Sequence, residues 1–183
     1  MMHCLVGSEM CIRDRSYLLF FCLALEAVIV DTGHANVSLV KFESLEGDRS
    51  KTLLGIKMDM QENWHTYWKN PGDSGGPIKV KWSHDNNMSI SKIYWPTPTL
   101  IPYEPLMTYG YKNFVIFPFE ITNSNNKNSY IEANIDFLIC DDICVPEKAL
   151  IKTNLNEIKN DAELYDWFLK VPSQILPVRA SID

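Results

Sequence analysis

The strongest constraint on the fold is an alternation of apolar and polar residues with a period of two. It is clearest at 54–60, where every second residue is Leu, Ile or Met, and at 78–82. Because successive side chains of a strand point to opposite faces, this pattern predicts half-buried strands. Similar segments occur at 37–45, 88–95, 114–121, 130–139 and 149–155.

Turn-forming runs separate these segments, namely PGDSGG at 71–76, HDNN at 84–87 and the Asn-rich stretch 123–128. About seven short strands with frequent turns and no intervening helical period favour an all-β protein. We therefore predict an immunoglobulin-like antiparallel β-sandwich, and we disfavour Rossmann and thioredoxin folds.

One short helix is predicted near the carboxyl end. Asn160 and Glu163 have the spacing of a capping box, and Leu164, Trp167 and Phe168 share one helical face. A proline at 172 ends the pattern, and 177–183 reads as a linker or tail. We accordingly divide the chain into a domain at 36–158 and a helix with a tail at 159–183.

The amino-terminal segment is predicted to be a secretory signal peptide covering residues 1–35. An apolar run, YLLFFCLAL, occupies 17–25, and Gly33 and Ala35 provide small residues where a signal peptidase cuts. The run is shorter than the roughly 20 residues that a membrane span requires, which favours a cleaved signal. A retained membrane anchor is the alternative. We expect the residues before 16 to be artefactual, since GSEMCIRDR at 7–15 resembles translated sequencing-adapter DNA.

The charge balance limits the partners. A net charge of -6 and no cluster of Lys and Arg argue against nucleic-acid binding, which requires concentrated positive charge.

Two cysteines carry the main chemical signal. Of the five cysteines, only Cys140 and Cys144 lie beyond the predicted signal. Strand parity at 130–140 places Cys140 on the polar face, where another protein can reach it. An extended chain would separate the pair by about 13 Å, whereas a disulfide needs Cα atoms about 4.4 to 6.8 Å apart, so a disulfide requires a tight turn at 141–143.

Three roles for this pair remain open. A loop of about five residues removes only roughly 2 kcal/mol of unfolded-state entropy, so the bridge is a poor structural staple, and this favours redox exchange. Asp141 and Asp142 are expected to raise the thiol pKa and to slow the free dithiol. The alternatives are a structural disulfide in a copper-related or partner-binding sandwich, or a metal site.

A metal site would need ligands from elsewhere in the chain. Zinc would have to recruit His65 and His84. Copper(I) would suit the thiols with Met58, Met60 or Met107, but alternation sends Met58 and Met60 to the core. We predict no metal and no cofactor.

A second motif, WHTYWKNPGDSG at 64–75, combines three aromatic residues with a histidine. It suits either a recognition surface or, more simply, core packing followed by a glycine-rich turn.

Taken together, WHTYWKNPGDSG, the TYGY run at 108–111 and FLICDDICVPE at 137–147 resemble the amino-terminal domain of the DsbD family of periplasmic thiol:disulfide interchange proteins. The closest likeness is to the branch associated with suppression of copper sensitivity, and it covers about 37–172. Three residues separate the cysteines here, rather than the five of the best-known members.

The resemblance implies a periplasmic thiol-disulfide oxidoreductase module. It would receive electrons from a thioredoxin-like donor domain and pass them to oxidised periplasmic disulfide proteins, and the full-length protein would carry a membrane-embedded reductase portion in the inner membrane. By position, Cys140 and Cys144 match the redox pair, with Cys144 forming the mixed disulfide. The remaining matched positions are the side chains beside the pair and the cap loop: His65, Tyr67, Tyr103, Glu104, Met107 and Asp142.

Overall fold

A computed structural model describes residues 28–43, 51–122 and 129–172 of the chain, and this part is mostly antiparallel strand. Most of the predicted signal peptide and all of the predicted tail at 177–183 lie outside the described residues. The described elements are β1 (Ile29–Asp31), β2 (Ala35–Phe42), β3 (Lys51–Met60), β4 (His65–Gly72), β5 (Lys79–His84), β6 (Ser89–Ile90), β7 (Thr99–Tyr103), β8 (Leu106–Lys112), β9 (Phe114–Thr122), β10 (Tyr130–Cys140), β11 (Cys144–Asn154), β12 (Lys159–Asn160) and α1 (Glu163–Leu169).

The strands form two sheets that share one core. The first has the order β1-β2-β3-β9-β6, with β12 added parallel to β2. The second has the order β11-β10-β4-β8-β7, with β5 also paired to β10. Their inward faces pack together as one large apolar cluster, so the predicted all-β sandwich with one short helix is confirmed.

Strand alternation places the side chains as predicted. Met58 and Met60 of β3 are buried in the core, and in β10 the odd positions from Ile131 to Ile139 are buried. The even positions of β10 face outward, where Asp136 and Glu132 pair with lysines of β11. The period-two pattern therefore determines which face of each strand is buried in the core.

Besides the short β1 and β12, three of the described strands lie where no strand was predicted. β4 runs through the aromatic motif, and its pairing with β8 shifts register between Tyr67 and Gly72. β7 and β8 form a hairpin over the predicted cap segment, joined at Glu104 and Pro105. Prolines and a bulge break the alternation in these segments, which hides them from a period-two search.

Two predicted strands have different bounds. Within 88–95 only Ser89–Ile90 is strand. β11 begins at Cys144, five residues earlier than predicted, and includes Pro146. A proline is tolerated there because β11 lies at the end of its sheet, with β10 as its one partner in the sheet order.

The amino-terminal turn belongs to the sheet structure. β1 pairs with β2, and Ala35 is buried at the start of β2, although both fall within the predicted signal peptide. The His34 Nδ1 lies 2.5 Å from Oε1 of Glu147, and the Thr32 hydroxyl donates to the other carboxylate oxygen. Because Glu147 is only 8% exposed, residues before 36 satisfy a buried acidic group.

The carboxyl-terminal helix also packs on the sandwich. Leu164 is fully buried against β2 and β9, and Trp167 contacts Tyr111 and Phe114. The predicted capping box is wrong, because Asn160 lies in β12 and Ala162 stands at the N-cap without a side-chain bond. Instead, Oδ1 of Asp161 accepts a hydrogen bond from the Glu163 amide.

A chain that begins at Asn36 is expected to unfold with a free energy about 2 to 3 kcal/mol lower than a chain that begins at Val28, because the Glu147 carboxylate loses both partners. Urea denaturation of the two chains measures this difference. In the shorter chain, Glu147→Gln should recover part of the loss, since a buried amide costs less than a buried carboxylate. Equal stability of the two chains would contradict the assignment of these residues to the fold.

Candidate functional site

The two late cysteines close the end of the longest strand pair. β10 and β11 pair without interruption from Tyr130 and Asn154 to Cys140 and Cys144, which lie directly opposite each other. The intervening turn is held by the Asp141 amide, which donates to the Ile143 carbonyl at 3.1 Å. The sulfurs are bonded at 2.06 Å, with the Cα atoms 4.2 Å apart. The tight turn predicted from the spacing is thus a β-hairpin.

The two cysteines differ in exposure. Cys144 is exposed at the start of β11, whereas Cys140 is only 2% exposed. The expectation that Cys140 is open to a partner is therefore wrong. Alternation along β10 directs its side chain outward, but the adjacent strand β4 pairs with it at His65 and places the Tyr67 side chain against it.

Tyr67 of β4 supplies the cover. Its hydroxyl donates to the Cys140 Sγ at 2.7 Å and lies 3.2 Å from the Cys144 Sγ. Burial raises the pKa of Tyr67, and a hydrogen bond with Ser74 lowers it by a smaller amount. The phenol consequently stays protonated at neutral pH and remains a donor to sulfur.

His65 lies two residues earlier on the same strand. Its ring meets the Tyr67 ring edge-on, with centroids 5.3 Å apart. Burial lowers the pKa of His65, the charge of Lys112 lowers it further, and Asp141 opposes both. The imidazole is therefore neutral at pH 7 and able to accept a proton near the disulfide turn.

The glycine-rich turn after β4 was predicted only as a turn, yet it contacts the tyrosine. A Cβ added at Gly75 would lie 2.1 Å from Cζ of the Tyr67 ring. The hydroxyls of Ser74 and Thr108 share a hydrogen bond of 2.7 Å. Nothing in the sequence spacing brings Ser74 and Thr108 together, because their approach depends on how β4 and β8 pair.

The other predicted site residues lie in the disulfide turn and on the β7–β8 hairpin. Asp142 is exposed in the disulfide turn, and Glu104 and Met107 are exposed on the β7–β8 hairpin. The backbone of Tyr103 ends β7, and its side chain is outside the described part. Among the described residues, the hydrogen bonds to the sulfurs come from Tyr67, and the hairpin instead contacts the glycine-rich turn at Met107.

The disulfide turn and the β7–β8 hairpin carry exposed apolar side chains. Ile143, beside Cys144, is 67% exposed, and Leu100, Met107 and Tyr109 are exposed on the hairpin. An exposed cysteine next to an accessible apolar side chain, Ile143, suits contact with another protein.

Within the described ranges, no group of three or more His, Cys, Asp or Glu residues has the arrangement of a metal site. Met58 and Met60 are buried in the core, as alternation predicted, which removes two of the copper ligands considered. In the same part of the chain, no helix has the length and hydrophobicity to cross a bilayer.

Comparison with known proteins identifies a family and solved structures of similar proteins. Residues 36–156 match the family model described as "Thiol:disulfide interchange protein DsbD, N-terminal". The N-terminal periplasmic domain of ScsB from Proteus mirabilis is similar, with a TM-score of 0.61 and 21% identity over 80% of this chain and 59% of that one. The chain thus spans about three fifths of the length of that structure. No curated protein sequence matches the chain.

A second structure, the GAE domain of GGA2p from Saccharomyces cerevisiae, is 9% identical with a TM-score of 0.36, over 69% of this chain and 94% of that domain. That likeness is too distant to inform either the fold or the site.

His65 is expected to titrate below its ordinary value of 6.5 in an NMR pH titration, since burial and Lys112 both disfavour its charge. Lys112→Met should raise its pKa and Asp141→Asn should lower it. Because the unfolded state binds this proton more readily, His65 contributes a loss of stability as pH falls below about 6.5. A midpoint at or above 6.5, or shifts of the opposite sign in the two variants, would contradict this electrostatic description.

Proposed function

The chain belongs to the family of DsbD N-terminal domains, and from this premise we propose that it relays electrons between periplasmic proteins through Cys140 and Cys144. A thioredoxin-like domain would be the donor, and oxidised disulfide proteins of the periplasm would be the acceptors. The observation that carries the proposal is the pairing of one exposed sulfur with one buried sulfur on a single hairpin.

Reduction begins at the exposed sulfur. A thiolate of the donor attacks the Cys144 Sγ, a new intermolecular S–S bond forms, and the Cys140–Cys144 bond breaks with its electron pair going to the Cys140 sulfur. The Tyr67 hydroxyl, already directed at that atom, stabilises the leaving thiolate by a charge-assisted hydrogen bond. A proton then converts it to a thiol.

The donor completes the step with its second thiol. That thiolate attacks the donor sulfur of the mixed disulfide and releases Cys144, so the donor becomes a disulfide and this domain a dithiol. Two electrons and two protons have moved. In the next exchange Cys144 attacks the disulfide of an acceptor, and Cys140 resolves the mixed disulfide, which returns the hairpin to its bonded form.

The surroundings favour reaction inside a complex. Asp141 and Asp142 disfavour a thiolate on the free domain. A docked partner that covers Ile143 excludes water and brings its own thiolate to Cys144, while His65 stands nearby in its neutral form as a proton acceptor. Unproductive thiol–disulfide exchange between the free domain and small disulfides is thereby suppressed.

The exposed sulfur can be tested with single-cysteine variants. The donor is a thioredoxin-like domain that retains only its attacking cysteine, activated as a mixed disulfide with thionitrobenzoate. Cys140→Ser, which leaves Cys144, should displace the coloured thionitrobenzoate roughly tenfold faster than Cys144→Ser, because access limits the rate. The adduct is then identified by mass spectrometry.

Urea provides the matched control, since both thiols are accessible in the unfolded chain and the two rates should converge. Equal rates in the folded variants would contradict the assignment of Cys144. A wild-type bridge that neither the reduced donor nor a glutathione buffer opens in the folded state would instead support a structural disulfide.

A further inference from the structure

A glycine-rich turn connects β8 to the tyrosine that contacts the disulfide. Thr108 and Ser74 share a hydrogen bond of 2.7 Å, and Gly75, the next residue of the turn, lies against the Tyr67 ring. Tyr67 in turn donates to the Cys140 Sγ at 2.7 Å. Thr108 is only 2% exposed and Tyr67 is fully buried, so the hydroxyl groups of these two residues have little access to water as an alternative partner.

The backbone of the turn is fixed to β8 at the same place. The Asp73 amide donates to the Met107 carbonyl at 3.0 Å, and the Met107 amide donates to Oδ2 of Asp73 at 2.9 Å. Gly72 pairs with Thr108 in the sheet register. Ser74 therefore cannot move away from Tyr67 without breaking contacts to β8.

Gly75 restricts the position of the Tyr67 ring. It has a φ of +80° and lies against the phenol ring, where an added Cβ would come within 2.1 to 2.4 Å of three ring atoms. A side chain at this position would displace the ring or the turn. Gly76, one residue later, has an ordinary van der Waals distance of 3.8 Å from its Cβ position to Leu138.

We propose that Ser74, Gly75 and Thr108 are positioning residues for disulfide exchange, because they hold the Tyr67 hydroxyl against the Cys140 sulfur. The proposal rests on the proposed function for its biological setting. The turn acts on the rate at which the Cys140–Cys144 bond opens, and it acts through the Tyr67 hydroxyl. Thr108 contributes by orienting Ser74.

The test measures reduction of the wild-type bridge and its variants by dithiothreitol, a probe that does not require a docked partner. Ser74→Ala and Gly75→Ala should each slow reduction about three- to tenfold, which is the loss expected for one hydrogen bond to a developing thiolate. Ser74→Thr keeps the hydroxyl and should retain most of the rate. Tyr67→Phe should be at least as slow as Ser74→Ala.

The decisive comparison uses the Tyr67→Phe background. If the turn acts through the hydroxyl, adding Ser74→Ala or Gly75→Ala to Tyr67→Phe should not slow reduction further. The cost of Gly75→Ala to the melting temperature should persist there, because the phenylalanine ring occupies the same space. Equal slowing in both backgrounds would overturn the proposal in favour of a general loss of structure.

Two control variants separate position from chemistry. Gly76→Ala changes the adjacent glycine, and Ser89→Ala breaks a similar hydroxyl pair, with Thr122, in the other sheet. Both should reduce at the wild-type rate, and slowing by either to the extent of Ser74→Ala would overturn the proposal. A Ser74→Ala rate equal to wild type would also overturn it.

Failure of the proposed function gives a different result. In that case a thioredoxin-like donor does not reduce the wild-type bridge, whereas the pattern of variants with dithiothreitol is unchanged.

Discussion

The register of the β10–β11 hairpin is the constraint on which the site depends. Eleven consecutive residue pairs bring Cys140 opposite Cys144, and the buried odd positions of β10 fix that register against the core. A slip of one residue would turn Ile135 and its neighbours towards water and would separate the cysteines. The same hydrophobic energy that folds the sandwich therefore aligns the two sulfurs.

Asymmetry between the sulfurs follows from the neighbouring strand. β10 ends beside β4, so the tyrosine and histidine of β4 surround Cys140, while Cys144 opens β11 at the edge of the sheet. A disulfide with one open and one enclosed sulfur directs attack to the open atom and gives the enclosed atom a prepared hydrogen-bond donor. Burial thus divides the two roles between chemically identical residues.

Local patterns in the sequence predicted much of this arrangement. Period-two alternation identified β3, β9 and β10, and the spacing of the cysteines required the tight turn. Contacts between distant segments were not predictable in the same way. Tyr67 meets Cys140 across 73 positions of sequence, and its approach depends on pairing between β4 and β10 that no local pattern encodes.

Two errors have the same physical origin. Parity correctly directed Cys140 away from the core, but parity says nothing of the side chains that an adjacent strand places on the outer face, here Tyr67. Asn160 has the right spacing for a helix cap, but its backbone pairs with β2 in the sheet, and the helix starts later with Asp161 bonded to the Glu163 amide. In both cases tertiary contacts overrode a valid local preference.

The edge strand β11, which begins at Cys144 and contains Pro146, limits how another protein can bind to this sheet. Proline lacks an amide donor, and Lys148 and Lys152 add charge along the strand. The edge of β11 therefore offers no long run of backbone groups with which a strand of another protein could pair. In the proposed function, contact with a partner would therefore be confined to the tip of the hairpin, and a contact of that small size favours release of one partner before the next one binds.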